Sequence, residues 1–200
     1  MTQPWQPLLD WWFGAATTAS EVAATRNKLW FGKQDSQDSE AQERFAELVE
    51  QALAGELDAW HVHPEGWLAN VLLLDQLPRM IFRESPRAFS GDLQAQALVR
   101  EGLRFGWDIQ LTPIQRVFVY IVFEHAEDLE QQERALACFA ELHEQAAAAE
   151  RQLFAGYLDY AERHQRVIAR FARFPHRNSI LGRASTPDEQ AFLREPGSGF

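Results

Sequence analysis

Apolar positions along this chain group at three- and four-residue spacing between recurrent helix start and stop signals, the pattern of helices with one buried face. Sustained alternation of β-branched residues is absent, so the pattern predicts an all-α domain with no sheet of consequence. Pro4 and Pro7 open a first short helix that carries Leu8, Leu9, Trp11 and Trp12 and stops near Gly14. Ser20 is placed to cap a second segment ending around Trp30 and Phe31. Gly32 to Ser39 reads as a polar loop. From Ser39 a clearer helix sets Phe45, Leu48, Val49, Ala52 and Leu53 on one side, with Gly55 as its C′ residue.

Pro64 suits the first position of a helix that is apolar almost all round, through Trp67, Leu68, Val71, Leu72, Leu73 and Leu74, and that helix is the expected centre of the core. Pro78 is expected to kink or break it, because its ring clashes with the carbonyl four residues back and offers no N–H. Further helices are predicted from Asp92 to about Phe105, from Thr112-Pro113 through Val122, over the acidic stretch from about Asp128 to Ala147, and from about Glu150 to Phe171. A last short one follows Thr186-Pro187. Both Thr-Pro starts put Gln or Glu at the third helical position, the pattern of a capping box. Antiparallel helix pairs joined by short loops imply a bundle or a short solenoid of the tetratricopeptide-like kind, although no repeat of about 34 residues is found. Residues 1–194 read as one helical domain and 195–200 as a flexible tail.

Composition narrows the partners. No apolar run approaches the roughly 20 residues that span a bilayer, so no membrane insertion is expected. The start Met1-Thr2-Gln3-Pro4-Trp5 lacks a secretory signal's basic and apolar segments. Cys138 is the only cysteine, so no internal disulfide forms and a cytoplasmic setting is expected. With 29 acidic against 19 basic side chains the net charge is −10, which argues against nucleic acid as the main partner. Trp5, Trp11 and Trp12 are available as an apolar patch for a partner or for self-association.

Candidate chemistry concentrates in three places. Asp75, Arg79 and Arg83 are spaced by four, with Arg87 close behind, and Asp75 follows an apolar run where a carboxylate needs a cation or a hydrogen bond. A surface ion-pair ladder is the competing reading. Glu124, His125, Glu127 and Asp128 end another apolar helix, and the three-residue offset lets Asp128 orient the His125 imidazole for general acid/base work. Two alternatives stay open there: a metal site completed by His164 or His176 with Glu127 or Asp128, and a plain helix-terminal histidine favoured by the dipole. His164 itself shares a helix with Tyr157, Tyr160 and Val167 and reads as a satisfied, half-buried side chain.

The third place is the run from Arg173 to Arg183, which Pro175 and Gly182 keep from being ordinary helix. Arg173, Arg177, Arg183 and Asn178 form a donor set for carboxylate or phosphate, and His176 titrates near neutrality. The alternative is a clamp in which the arginines bind exposed carbonyls at helix ends.

Several stretches together resemble domain-of-unknown-function family 924, whose members are similar to tetratricopeptide-like helical proteins. The likeness rests on Trp12-Phe13-Gly14, Trp30-Phe31, Leu74-Asp75-Gln76-Leu77-Pro78-Arg79-Met80-Ile81-Phe82-Arg83, and Arg87-Ala88-Phe89 with Asp92. It continues through Tyr120, His125, Glu127-Asp128, Gln132, and the block from Arg170 to Arg183 with Ser185-Thr186. Leu77, Met80 and Glu124 depart from the Phe, Asn and apolar residue that the family favours. The resemblance implies an all-helical fold and a shared polar site. It carries no activity, substrate or cofactor.

Taken together, these readings predict a pocket between helices that binds a small anionic ligand, with acid/base catalysis left open there. His125, Asp128 and His176 are the candidate catalytic residues. Asp75, Arg79, Arg83, Arg87, Glu127, His164, Arg173, Arg177, Asn178 and Arg183 are the candidate ligand-binding residues. The competing function is a non-catalytic tetratricopeptide-like module that takes a carboxylate-bearing peptide. Cofactors are left open.

Overall fold

Helix boundaries in this chain fall where a side chain can satisfy, or a proline cannot supply, a terminal backbone group. A computed structural model describes residues 3–199; Met1 and Thr2 of the supposed leaderless start and Phe200 of the supposed tail lie outside them. Among the described residues there are nine α-helices and no strand. They are α1 (Gln6–Phe13), α2 (Ala19–Phe31), α3 (Asp35–Leu53), α4 (Pro64–Ile81), α5 (Asp92–Arg104), α6 (Pro113–Glu124), α7 (Leu129–Gln145), α8 (Arg151–Phe171) and α9 (Pro187–Phe192).

Thr112 and Thr186 each head a full capping box, as their spacing to Gln115 and Glu189 demands. Two boundaries differ from the sequence reading. Thr18, not Ser20, caps α2, its hydroxyl accepting from the Glu21 N–H at 3.3 Å. The supposed loop of residues 32–39 is already helical from Asp35, because Asp35 and Asp38 both fall in the first turn, where carboxylates meet the positive end of the helix dipole.

α4 is the central element, buried continuously from Gly66 to Pro78, and α3, α5 and α6 pack around it. Pro78 does not break it. The helix runs on to Ile81, and the Phe82 N–H closes onto Pro78 O at 2.9 Å. Proline leaves the carbonyl four residues back, Leu74 O, without its usual helical donor, and that carbonyl lies against Gly91 at the start of α5, where a Cβ would sit 2.2 Å from it. Gly102 of α5 approaches the Trp67 indole just as closely, and Trp67 Nε1 donates to Leu98 O at 3.0 Å. Two glycines thus let α5 lie down on α4.

The tryptophans supposed to form a surface patch are inside. Trp5, Trp11 and Trp12 are buried, and Trp12, Phe13 and Trp30 surround Phe118 of α6 edge-on, with centroids 4.7 to 5.6 Å away. A separate small cluster of Val167, Ile168 and Phe174, joined by Phe171 and Phe192, fixes the chain where it leaves α8. No helix among the described residues is long and apolar enough to cross a membrane.

Candidate functional site

A carboxylate with no solvent exposure stands at the centre of the helix packing. Asp75 of α4 is 0% exposed, and both its oxygens face Nδ1 of His125, at 2.9 and 3.0 Å. Gln76 Nε2 donates to it at 2.6 Å, and Arg79 Nη1 lies 3.3 Å away while donating to the Asp75 backbone carbonyl at 2.6 Å. Arg79 also grips Asp92, the first residue of α5, through two parallel bonds of 2.9 and 3.1 Å, the fork geometry that guanidinium and carboxylate share.

Arg177 closes the group from the loop after α8. It is 6% exposed, lies 3.7 Å from Asp92, and donates from Nη1 to the His125 carbonyl at 3.0 Å. Its guanidinium sits between the rings of Phe89 and Phe174, 4.9 and 4.4 Å from their centroids. Its Nε is buried with no hydrogen-bond partner.

His125 is held in place by the way α6 ends. A buried helix terminus must find donors for its last carbonyls. Gln132 of α7 supplies them, its Nε2 reaching Glu124 O at 2.6 Å and Ala126 O at 2.7 Å, while Arg177 takes the carbonyl of His125 between them. Asp128 is engaged in another way than its spacing suggested. It caps α7, accepting from the Gln131 N–H at 3.0 Å, and the carboxylate that orients His125 is Asp75, fifty residues earlier.

Electrostatics follow from this burial. Desolvation works against the Asp75 anion, but Arg79, His125 and Gln76 together outweigh it and hold its carboxyl well below the ordinary range. Desolvation first, then the Arg79 cation, pushes His125 down to about 4 against the pull of Asp75. The imidazole is therefore neutral at neutral pH. Because an ionised carboxylate only accepts, the His125 proton belongs on Nδ1 and the lone pair on Nε2. Nε2 has no hydrogen-bond partner among the described residues, and the side chain keeps 16% of its surface exposed. Burial, then Arg79, lowers Arg177 to about 10, and it remains a cation.

A second polar network staples the loop after α8 to the bundle. Glu127 accepts from the Phe174 N–H at 2.8 Å and pairs with Arg183, which also reaches Asn178 Oδ1 at 2.9 Å. Glu189 is 2% exposed, with Arg173 at 2.6 and 2.8 Å, Asn178 Nδ2 at 3.3 Å and the Thr186 N–H at 2.7 Å. Arg173, Arg183 and Asn178 are thus engaged chiefly with the carboxylates of Glu189 and Glu127, whereas the competing reading of this loop had its arginines on carbonyls at helix ends, the contact that Arg177 makes with His125 O.

Two comparisons with known proteins bear on this arrangement. Residues 8–197 match the family model described as bacterial protein of unknown function (DUF924). The chain belongs to the DUF924 family. A solved structure of a protein of unknown function from Agrobacterium tumefaciens is 34% identical to this DUF924 chain, covers 88% of it and 99% of itself, and superposes with a TM-score of 0.73. No curated protein matches.

Within this DUF924 member the remaining candidates fall outside the Asp75 group. Arg83 and Arg87 lie beyond the end of α4, so helical spacing no longer sets their direction; they pair with Asp38 and Glu50 of α3. His164 is buried in α8, with Nδ1 2.9 Å from Glu124 and 2.9 Å from Tyr160 O. Phe174 touches both His164 and His176, at 5.5 and 5.6 Å between centroids. Burial, then Arg177, lowers His176 to about 3. The metal alternative for His125, His164 and His176 finds no support: no three His, Cys, Asp or Glu side chains among the described residues are grouped to hold an ion.

Asp92, Gln132, Gln76 and Phe89 were assigned no role from the sequence, although Asp92, Gln132, Gln76 and Phe89 all stand in the stretches that carried the family resemblance. Tyr120, from the same stretches, is engaged elsewhere, donating to Asp108 at 2.7 Å and accepting from Arg116 Nε at 2.9 Å.

Proposed function

We propose that the Asp75, His125 and Arg177 cluster binds a small anionic ligand through a carboxylate or phosphate group, and that His125 exchanges a proton with it. The reading rests on Arg177. A guanidinium carries five N–H donors, yet this one, almost wholly buried, gives one hydrogen bond to His125 O and leaves Nε with none. The Asp92 carboxylate at 3.7 Å and the two ring faces offset part of its burial, but the unmet donors are costly unless something completes them. An anion arriving beside Arg177 would do so. It would also meet Nε2 of His125, whose neutral state and fixed tautomer suit a general base, while Arg79 and Arg177 favour negative charge that develops on the ligand.

The finer description of the fold as tetratricopeptide-like draws support from the succession of neighbours, each helix from α3 to α8 packing on the next. A hydrophobic cluster running from Trp5 to Ala161 supports taking residues 1–194 as one domain. A cytoplasmic setting is favoured by the free thiol of Cys138.

Nuclear magnetic resonance on protein labelled at histidine and arginine tests the proposal, with sodium succinate and inorganic phosphate added separately at pH 7. One of the two probes should give a saturable shift at both His125 and the Arg177 Nε, lost in Arg177→Met. If neither probe moves either signal in the wild-type protein, the cluster is purely structural.

A further inference from the structure

Charge is unevenly divided along this chain. Residues 151–200 carry eight arginines against five carboxylates, whereas the first 150 carry eleven basic side chains against twenty-four acidic ones. Three of the eight, Arg163, Arg166 and Arg170, follow one another at three and four residues on α8, share one helix face, and are exposed. Arg163 is paired with Asp159 at 2.6 Å. Arg166 and Arg170 have no carboxylate within ion-pair distance among the described residues.

Beside this face lie two open clefts, of about 220 and about 440 Å³, which meet at Arg170 and Phe171. Phe171 lines both, and Phe192 lines the smaller. The rings of Phe171 and Phe192 stand 5.1 Å apart, and the Arg170 guanidinium lies 4.6 Å from the first and 6.0 Å from the second. Together the clefts form a groove that is cationic along the α8 side and apolar at Phe171 and Phe192, and whose larger part is also lined by Asp188 and by the paired Arg173 and Glu189. None of these residues belongs to the Asp75 cluster.

We propose that this groove is a docking surface for an extended acidic peptide, whose carboxylates meet Arg166 and Arg170 and whose apolar side chain rests on Phe171 and Phe192. Charge complementarity selects this partner. A long polyanion such as nucleic acid would extend beyond the groove over a molecule of net charge −10 that opposes it at long range, whereas a short peptide stays on Arg166 and Arg170. Asp188 in the larger cleft repels negative charge there, so the peptide's carboxylates belong at the Arg166 and Arg170 end. A free inorganic anion would leave the aromatic wall unused, whereas alternating acidic and apolar side chains use both components.

Fluorescence anisotropy on the full chain tests this with a fluorescein-labelled octapeptide of alternating Glu and Phe. Saturable binding that weakens with added salt is expected. The double variant Arg166→Glu/Arg170→Glu should bind about tenfold more weakly, two exposed ion pairs being lost, and Phe192→Ala should also weaken binding. Arg44→Glu, the same charge reversal at an exposed arginine of α3, a helix that packs on α4, should leave affinity unchanged. Circular dichroism establishes that each variant is folded. Four outcomes overturn the proposal: no saturable binding, equal affinity in the double variant, displacement by inorganic phosphate as effective as by unlabelled peptide, or protein dimerisation that the double variant abolishes.

Discussion

Nδ1 of His125 lies between two oxygens of Asp75, 2.9 and 3.0 Å away, although Asp75 belongs to a different helix and is shut off from solvent. An acid partner this close would ordinarily raise a histidine pKa. Burial and the Arg79 cation reverse the sign and bring His125 to about 4. A histidine whose folded value lies below its unfolded value of 6.5 contributes stability that is complete above pH 6.5 and is lost as pH falls toward 4. A pH titration of the ring carbons by nuclear magnetic resonance should place the His125 midpoint near 4, well under that of an exposed histidine, and Arg177→Ala should raise it, because Arg177 also lowers it. A midpoint at or above the ordinary value would mean that Asp75 governs the ring after all.

Gly91→Ala should destabilise the fold by about 1–3 kcal/mol, the cost of overpacking a close backbone contact. Its φ of −94° suits alanine, so conformational freedom is not the issue. The collision is with Leu74 O, the carbonyl that Pro78 leaves without a helical donor. Urea denaturation of the two proteins measures the difference. Gly55→Ala is the useful contrast, since space around it is open and only its φ of +75° opposes a side chain; equal stability of wild type and Gly91→Ala would remove the proposed role of that contact.

The helices were legible because their signals are local. Both Thr-Pro starts, the apolar run of α4 and the alternation of acidic and apolar residues in α7 each act within a few turns. The site was legible only as a set of residue types. Sequence spacing offered Asp128 as the partner of His125, but that carboxylate is occupied by the N-terminus of α7, and only tertiary packing brings Asp75 across. Spacing by four likewise put Arg83 on the face of Asp75, yet α4 ends at Ile81 and frees Arg83 to reach Asp38. Pro78 kinks or breaks a helix in sequence terms, and the structure excludes the break. Its penalty is real, but the helix beyond it is held by buried Met80 and by Arg79 bonded on both sides, enough to carry α4 through.

Asp128→Ala follows from that reassignment. Loss of an N-cap should cost about 1 kcal/mol, seen as a lower Tm, while the His125 titration midpoint stays where it is in wild type. A shift of that midpoint comparable to the one expected for Arg177→Ala would restore Asp128 to the histidine and contradict the cap as its main duty.

The carboxylates that staple the loop after α8 should make that loop fail before the core in acid. Arg173 first, with the Thr186 N–H and Asn178 assisting, holds Glu189 down to about 2, and Arg183 together with the Phe174 N–H holds Glu127 below its ordinary value although burial opposes it. Both folded values lie under the unfolded reference of 4.5, so the stabilisation is complete above that pH and disappears as pH drops toward 2. The core from α4 to α6 relies chiefly on apolar burial; protonation of His125 takes some stability from it toward pH 4 but leaves the apolar contacts in place. Hydrogen exchange should therefore show residues 174–192 losing protection between about pH 4.5 and 2 while Leu72, Leu73 and Phe118 keep theirs. Glu189→Gln, which preserves volume but not charge, should open the same segment at neutral pH. Simultaneous loss of protection in loop and core would mean that the two networks unfold as one unit and that Glu189 anchors the whole bundle.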